Sequence, residues 1–131
     1  MICLDSDIMM AFLRGDQDAV AKIKELDPER EVVSTAINAL ELFVGIVAVE
    51  GVSGKRVEAT REFLSTLTIF PLNTGAAERT TYILNTLKKM GTPIGLKDSL
   101  IAGIVLENNL TLVTQNIKHF ERVAGLKLES W

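Results

Sequence analysis

Cysteine, histidine and aromatic residues are scarce in this chain of 131 residues, which contains one cysteine, one histidine and 5% aromatic residues. The single cysteine, Cys3, cannot form an intramolecular disulfide, and an unpaired thiol fits a reducing compartment. One thiol and one imidazole also cannot supply the nitrogen and sulfur ligands that a zinc site needs. We therefore expect neither a disulfide-stabilised domain nor a zinc centre, and we interpret Cys3 as a small core residue.

Long hydrophobic runs and an excess of basic residues are missing as well. The longest apolar run covers residues 42–49, well short of the roughly 20 residues that a membrane-spanning helix needs. The first residues lack the ordered basic, apolar and cleavage regions of a secretory signal, so we expect a soluble, cytoplasmic protein.

The net charge of −3 argues against a protein that binds nucleic acid through a broad basic surface. It does not exclude phosphate binding through metal ions that carboxylates hold, because the bound ions reverse the local charge. Some basic residues could still contact a phosphate backbone, although each is also interpretable as a solvated surface charge: Lys55, Arg56, Arg61, Lys88, Lys89, Lys97, Lys118 and Arg122.

Apolar residues make up 47% of the chain, enough for the core of one domain that spans residues 1–131. Short apolar runs predict strands over residues 2–4, 31–34, 68–72, 111–114 and 126–129. Helical periodicity and capping residues predict seven intervening helices, which begin at or just after Ser6 or Asp7, Gln17, Ser34 or Thr35, Lys55, Asn73 or Thr74, Asp98 and Lys118. The second extends to about Leu26, where Asp27 and Pro28 close it. This alternation predicts a three-layer α/β/α sandwich with a mostly parallel sheet of four to five strands.

Three polar side chains lie at related points of this predicted fold. Asp5 directly follows the first strand, Asn116 directly follows the fourth, and Asp98 begins the helix before the fourth. In open parallel sheets, ligands bind in the crevice at the carboxyl ends of the strands, near the point where strand order reverses. We therefore expect Asp5, Asp98 and Asn116 to line one site.

Glu41 is the only charged residue between Glu31 and Glu50, in a helix that is otherwise almost entirely apolar. At helical spacing it shares a stripe of polar and small residues with Asn38, Gly45 and Ala48. Glu41 could simply mark the solvent side of an amphipathic helix, but its apolar neighbours would make that side unusually narrow. We interpret it as a fourth member of the site.

Each residue also has an ordinary structural interpretation. Asp5 or Asp7 could cap the first helix, Asp98 could be a first-turn acid that the helix dipole favours, and Asn116 could be a turn residue. Converging carboxylates raise one another's pKa, and binding a hard divalent cation keeps them ionised. A Ser-His-Asp relay around His119 is disfavoured, because no serine lies in a strand-to-helix elbow.

Four motifs in order resemble those of the PIN domain, and within it the VapC-type toxin ribonucleases of toxin-antitoxin modules. Residues 4–8 (LDSDI) resemble the opening motif with Asp5 as its acid, and Asp7 occupies a position often filled by asparagine. Residues 34–45 resemble the second motif with Glu41 as its acid, and residues 95–102 resemble the third with Asp98. Residues 112–120 and 125–131 resemble the C-terminal signature, where Asn116 replaces the fourth acid of many PIN domains.

The resemblance implies Mg²⁺- or Mn²⁺-dependent endonucleolytic cleavage of RNA by Asp5, Glu41, Asp98 and Asn116. Asp5 and Asp98 would hold the metal, and Glu41 would support the metal's ligand shell or activate the attacking water. Asn116 would help to position the ligand shell or the water. Asp7 and Glu121 are weaker candidates to supply the missing fourth acid. The resemblance also implies a homodimer, and an antitoxin partner whose C-terminal segment enters the active-site groove. We hypothesise that residues 36–49 and 57–67 supply surfaces for such partners.

Two other functions remain open at this stage. A catalytically degenerate PIN domain could bind RNA or protein without cleaving it, since Asn116 adds no negative charge. A phosphatase of the haloacid dehalogenase type would use Asp5 and Asp7 as nucleophile and acid, but Met9 departs from its motif and no later paired acids appear.

Overall fold

The computed structural model describes residues 1–26 and 28–131, and this part of the chain forms five strands and seven helices. The strands are β1 (Ile2–Leu4), β2 (Val32–Thr35), β3 (Thr68–Phe70), β4 (Thr111–Val113) and β5 (Lys127–Glu129). The helices are α1 (Ser6–Leu13), α2 (Gln17–Glu25), α3 (Ala36–Glu50), α4 (Lys55–Ser65), α5 (Thr74–Lys89), α6 (Leu96–Glu107) and α7 (Ile117–Phe120). None of the helices in these residues is both long and apolar enough to cross a membrane.

All five described strands pair in parallel, in the order β3-β2-β1-β4-β5. The chain adds β2 and β3 on one side of β1, and then returns to add β4 and β5 on the other side. The strand order therefore reverses between β1 and β4, and the crevice for ligands lies at the carboxyl ends of these two strands. The predicted α/β/α sandwich is confirmed.

Alternate side chains of the strands face two separate cores, as the strand period of two requires. On one face, Cys3 and Leu112 pack with buried residues of α5, α6 and α7. On the other, Ile2, Leu4 and Val113 pack with α1, α2, α3 and α4. Burial also raises the pKa of the Cys3 thiol, which agrees with its interpretation as a core residue and not a nucleophile.

Three helix boundaries differ from the prediction in ways that bear on the site. The cap of α1 is Asp5 and not Ser6 or Asp7, so the residue that follows β1 also begins the helix. Helix α6 begins at Leu96, after Gly95 with φ 87°, and Asp98 therefore lies inside its first turn. Helix α2 ends at Glu25, one residue before its predicted end at Leu26, and the predicted stop at Asp27 lies outside the described residues.

Helix α6 is held against α5 by a close contact at Gly103. A Cβ at this position would lie 2.1 Å from Oγ1 of Thr80 and 2.8 Å from the carbonyl oxygen of Ala76. Both Gly103 and Thr80 are buried. This close approach fixes the position of α6, the helix that carries Asp98, relative to the sheet.

Candidate active site

Asp5 lies at the carboxyl end of β1, and it is only 6% exposed; three hydrogen bonds position its carboxylate and a fourth holds its backbone. Oδ1 accepts hydrogen bonds from the Ser6 amide at 2.8 Å and from Nδ2 of Asn38 at 2.7 Å. Oδ2 accepts from the Thr114 hydroxyl at 2.6 Å, and the Asp5 amide donates to the carbonyl of Val113. These contacts join the ends of β1 and β4 to the first turn of α3.

Burial is the main reason why the pKa of Asp5 rises from 3.8 to about 6. The hydrogen bonds from Thr114 and Ser6 oppose this rise, whereas the negative charges of Asp7 and Glu41 add to it. The influence of Glu41 places its carboxylate within electrostatic range of Asp5. A cation at this edge of the sheet would therefore stabilise the ionised form of Asp5.

Asp98 lies in the first turn of α6 and faces α7 across the crevice. Its Oδ2 accepts a hydrogen bond from Nδ2 of Asn116 at 3.2 Å and lies 3.0 Å from Nδ1 of His119. The backbone N–H of Asn116 donates to Oγ1 of Thr114 at 3.0 Å, and Thr114 in turn donates to Asp5. Asn116 therefore connects Asp98 to the residue that holds Asp5. Asn116 contributes a donor here, and no negative charge.

Glu41 is not on the solvent side of α3. Its side chain is 19% exposed, whereas the neighbouring residues Leu40 and Val44 are 53% and 60% exposed. Oε2 lies 3.3 Å from the ammonium of Lys97, the residue before Asp98, while Oε1 is buried and has no hydrogen-bond partner among the described residues. A buried carboxylate oxygen without a donor is costly, and a cation or a water molecule held by one would satisfy it.

The two weaker candidates for a fourth acid differ from this group. Asp7 is well supplied with donors: its Oδ1 accepts from the Ile8 amide and from Nε1 of Trp131, and its Oδ2 accepts from the Gln115 amide and lies 3.2 Å from the Thr114 hydroxyl. The Glu121 side chain is exposed and forms no hydrogen bond or ion pair with any described residue. Asp7 therefore connects α1 to the end of β4, and Glu121 lies outside the site.

Sequence reasoning missed three residues that hold the acids in place. Asn38 shares the helical stripe of Glu41, Thr114 ends β4 as Asp5 ends β1, and His119 lies one helical turn after Asn116. Each spacing was visible in the sequence, but hydrogen bonds between distant segments decide which neighbour a polar side chain contacts. The hydroxyl of Ser99, next to Asp98, donates to the Gly95 carbonyl.

The donor set fits a hard divalent cation in its chemistry, because Asp5, Glu41, Asp98 and Asn116 offer only carboxylate and amide oxygens as ligands. The buried, unpaired Oε1 of Glu41 is the most direct observation in favour of that fit. Among the described residues, no three acidic, histidine or cysteine side chains already enclose a common point. The acids therefore line one edge of the sheet without forming a closed ligand set.

This fold and this arrangement of acids define a PIN domain, and the chain belongs to that family: the PIN domain model matches residues 2–126. The family recognised from the four motifs is thereby confirmed. The chain is similar to the tRNA(fMet)-specific endonuclease VapC of Salmonella typhimurium, with 31% identity over 129 residues that cover 98% of this chain and 96% of the relative. It is also 30% identical to Ribonuclease VapC1 of Haemophilus influenzae strain R2866, over 98% of this chain and 96% of the relative.

Solved structures similar to this chain belong to toxin-antitoxin complexes. VapBC-1 from nontypeable Haemophilus influenzae contains a chain that matches with a TM-score of 0.86 and 28% identity, over 100% of this chain and 98% of that one. VapBC2 from Rickettsia felis, solved with a DNA fragment from its promoter, matches with a TM-score of 0.83 and 28% identity over 100% and 99%. The likeness therefore extends over the whole fold.

Proposed function

We propose that this protein is a metal-dependent endoribonuclease that hydrolyses RNA phosphodiester bonds, and that it is the toxin of a VapBC-type module. The observation that carries the proposal is the unpaired, buried Oε1 of Glu41 at the same strand ends as Asp5 and Asp98. The nuclease names of its relatives point to the same reaction. An unpaired, buried Cys3 fits a cytoplasmic location.

Asp5 and Asp98 are the residues that would hold Mg²⁺ or Mn²⁺, and the metal would polarise the scissile phosphate and acidify the attacking water. Asn38 and Thr114 fix the orientation of Asp5 through hydrogen bonds to its two oxygens. Asn116 and His119 orient Asp98 through contacts with one of its oxygens, Oδ2. These donors fix the orientation of both carboxylates.

Glu41 is the residue best placed to accept a proton. Its Oε1 has no donor among the described residues, so it can accept the proton of a water molecule that attacks phosphorus. The Lys97 ammonium stabilises the Glu41 carboxylate before the reaction and offers a positive charge to the phosphate. The phosphodiester bond breaks as the new oxygen–phosphorus bond forms, and the leaving oxygen departs with a proton from solvent.

Cleavage of an end-labelled RNA with Mg²⁺ tests this assignment. Asp98→Asn and Glu41→Gln keep the shape of each side chain, and each should slow cleavage by about 100-fold or more, because removal of a proton acceptor or metal ligand costs at least that factor. Glu121→Gln is the matched control, since that acid is exposed and no described residue forms a hydrogen bond or ion pair with its side chain. Equal cleavage by wild type and both site variants would refute the assignment.

The alternative is a degenerate PIN domain that binds without cleaving, and the neutral Asn116 is the observation in its favour. The same assay separates the two functions. A wild type that retains RNA in a filter-binding assay with Mn²⁺, but leaves the label intact at every metal concentration, would establish the binding module instead.

We further propose that an antitoxin binds the groove between α1, α3 and α4. This groove has a volume of about 560 Å³ and is lined by apolar side chains, among them Met10, Ile46 and Val49, with Arg14 and Arg56 at its edges. The apolar residues Val57 and Leu64 of α4 are buried in the core, so the predicted surface over residues 57–67 is wrong in that part. Helix α3 contributes Val49, which is 76% exposed, to this groove.

Co-expression with the product of a short adjacent open reading frame tests the groove. Val49→Asp places a charge on an exposed groove residue and should abolish co-purification of that product. Tyr82→Ser, which removes an exposed aromatic side chain on α5, should leave it unchanged. Retention of the partner by Val49→Asp would remove the support for this groove.

A homodimer is the last part of the proposal. Leu40 and Val44 lie one turn apart on α3, and both are more than half exposed. A second copy of the chain would bury them. Leu40→Glu should convert a dimer into a monomer in light scattering coupled to gel filtration, and a wild-type monomer would contradict the dimer.

A further inference from the structure

Trp131, the only tryptophan of the chain, is joined to the candidate active site by a hydrogen bond. Its indole Nε1 donates to Oδ1 of Asp7 at 3.1 Å, although the two residues are 124 positions apart. The side chain is partly buried and packs against the core that includes Leu4 and Val113. Trp131 thus contacts the first turn of α1.

Asp7 matters because it shares a donor with Asp5. The Thr114 hydroxyl lies 2.6 Å from Oδ2 of Asp5 and 3.2 Å from Oδ2 of Asp7, and it has a single proton to donate. The hydroxyl oxygen of Thr114 also accepts a hydrogen bond from the backbone N–H of Asn116 at 3.0 Å. Two carboxylates therefore compete for one proton, and the shorter distance assigns it to Asp5.

Asp7 does not need the Thr114 proton because three N–H groups satisfy it. They come from the backbone of Ile8, from the backbone of Gln115 at 2.7 Å, and from Trp131. Of these, the indole is the only side-chain donor. If it were lost, Oδ1 of Asp7 would keep only the Ile8 amide, the carboxylate would turn more freely, and Oδ2, which lies 3.2 Å from the Thr114 hydroxyl, would compete with Asp5 for that proton.

We propose that Trp131 is a positioning residue that, by satisfying Asp7, keeps the Thr114 proton on Asp5. The inference rests on the proposed nuclease function, in which Asp5 is a metal ligand. Loss of the indole donor then releases Oδ2 of Asp5 from its shortest hydrogen bond, and the carboxylate loses its fixed orientation. Residues that orient metal ligands typically affect metal affinity or activity about 10- to 100-fold.

A direct contact of Trp131 with RNA is the competing role, and the surroundings disfavour it. The indole lines a cavity of about 300 Å³ together with the carboxylates of Asp7, Asp16 and Asp18, against one cation, Arg14. These carboxylates repel a phosphate backbone. Stacking on a nucleobase would alter KM, whereas a positioning role alters kcat and metal affinity.

The hydrogen bond itself is tested in metal-free protein. The chain has one tryptophan, so its indole N–H gives a single resonance in a ¹⁵N–¹H spectrum. Asp7→Ala should shift that resonance upfield and speed its exchange with solvent, whereas Asp18→Ala, a change in another acid that lines the same cavity, should leave it in place. An indole resonance that Asp7→Ala does not move would overturn the proposal, whatever the protein does to RNA.

The coupling to Asp5 is tested with a double-mutant cycle of Trp131→Phe and Asp7→Ala. Trp131→Phe keeps an aromatic ring in the core and removes the donor; it should lower kcat and weaken Mn²⁺ binding by about 10-fold with KM unchanged. In the Asp7→Ala background the same change should have less than about a 2-fold effect, because the contact is already absent. Tyr82→Phe, which removes an exposed aromatic donor to Glu78, should change nothing.

The outcomes separate this proposal from the nuclease assignment. Equal effects of Trp131→Phe in both backgrounds, or a change in KM alone, would overturn the positioning role and leave the nuclease intact. If the wild type binds Mn²⁺ without cleaving RNA, the nuclease assignment fails. The positioning role is then judged from the Mn²⁺ affinities of the four proteins in the double-mutant cycle. A wild type that neither cleaves RNA nor binds Mn²⁺ overturns both. Circular dichroism and thermal unfolding check that each variant is folded.

Discussion

The ammonium of Lys97 lies 3.3 Å from Oε2 of Glu41, so a positive charge from the first turn of α6 reaches across the crevice to α3. The second oxygen of the same carboxylate, Oε1, has no donor among the described residues. One oxygen of the Glu41 carboxylate is therefore paired with a cation of the protein itself, and the other is unpaired. A divalent metal at this edge would share Glu41 with Lys97 and would also be repelled by it.

Removal of the Lys97 charge should therefore strengthen metal binding. Lys97→Met is expected to tighten Mn²⁺ binding by about 3- to 10-fold, a modest factor because the side chain is 66% exposed and solvent screens its charge. Titration calorimetry measures the affinity, and Lys88→Met, at the far end of α5, controls for net charge. Unchanged or weaker binding in Lys97→Met would contradict a competition for Glu41.

Asp5 should make the protein less stable as pH rises when metal is absent. Its pKa is about 6 in the folded state and near 3.8 when unfolded, so between these values the folded protein binds a proton that the unfolded chain has released. The unfolding free energy therefore falls from about pH 4 to pH 6 and then levels off. A shift of this size corresponds to at most about 3 kcal/mol.

Asp5→Asn removes this titration while it preserves the shape of the side chain. Urea unfolding in EDTA should show the variant more stable than wild type at pH 7.5, with the difference vanishing near pH 4. Asp18→Asn, an exposed first-turn acid, should not reproduce the pattern. A difference between wild type and Asp5→Asn that stays constant across this pH range would contradict the expected titration.

Asn116→Asp should exchange a hydrogen bond for a repulsion that only metal relieves. The side-chain amide of Asn116 donates to Asp98, and a carboxylate at position 116 would face Asp98 as a like charge. The variant should unfold about 1–3 kcal/mol more easily in EDTA, because a donor is lost next to a charged group. Saturating Mn²⁺ should restore most of that stability, as thermal unfolding in both buffers can measure; a variant that stays as destabilised in Mn²⁺ would count against a metal at Asp98.

Gly103→Ala should weaken the contact between α5 and α6. The new methyl group would overlap Oγ1 of Thr80 and the carbonyl of Ala76, and overpacking of this kind costs about 1–3 kcal/mol. Gly45→Ala is the matched control, since its Cβ would lie an ordinary 3.8 Å from Met10 and alanine favours a helix. Chemical denaturation should therefore show a lower free energy of unfolding for Gly103→Ala and a higher one for Gly45→Ala. An unchanged free energy of unfolding in Gly103→Ala would disprove the close contact.

Much of the fold could be predicted from local patterns in the sequence. The short apolar runs and helical periodicity indicated all five described strands and seven helices, with boundaries wrong by a few residues, as at α6. The polar ends of β1 and β4 also predicted a site at the switch point, and four spaced motifs identified the PIN domain family. The catalytic and metal-binding roles of Asp5, Glu41, Asp98 and Asn116 stay predictions until the variants are measured.

The sequence by itself determined the element types, the layered architecture and the positions of the acids, because these depend on periodicity and on the end of a strand. Only the tertiary structure decided which donors hold each acid. Asn38, Thr114 and His119 contact Asp5 or Asp98 across separations of 21 to 109 residues. A hydrogen bond needs a partner within about 3.5 Å, and that distance is set by how α3, α6 and α7 pack around the sheet.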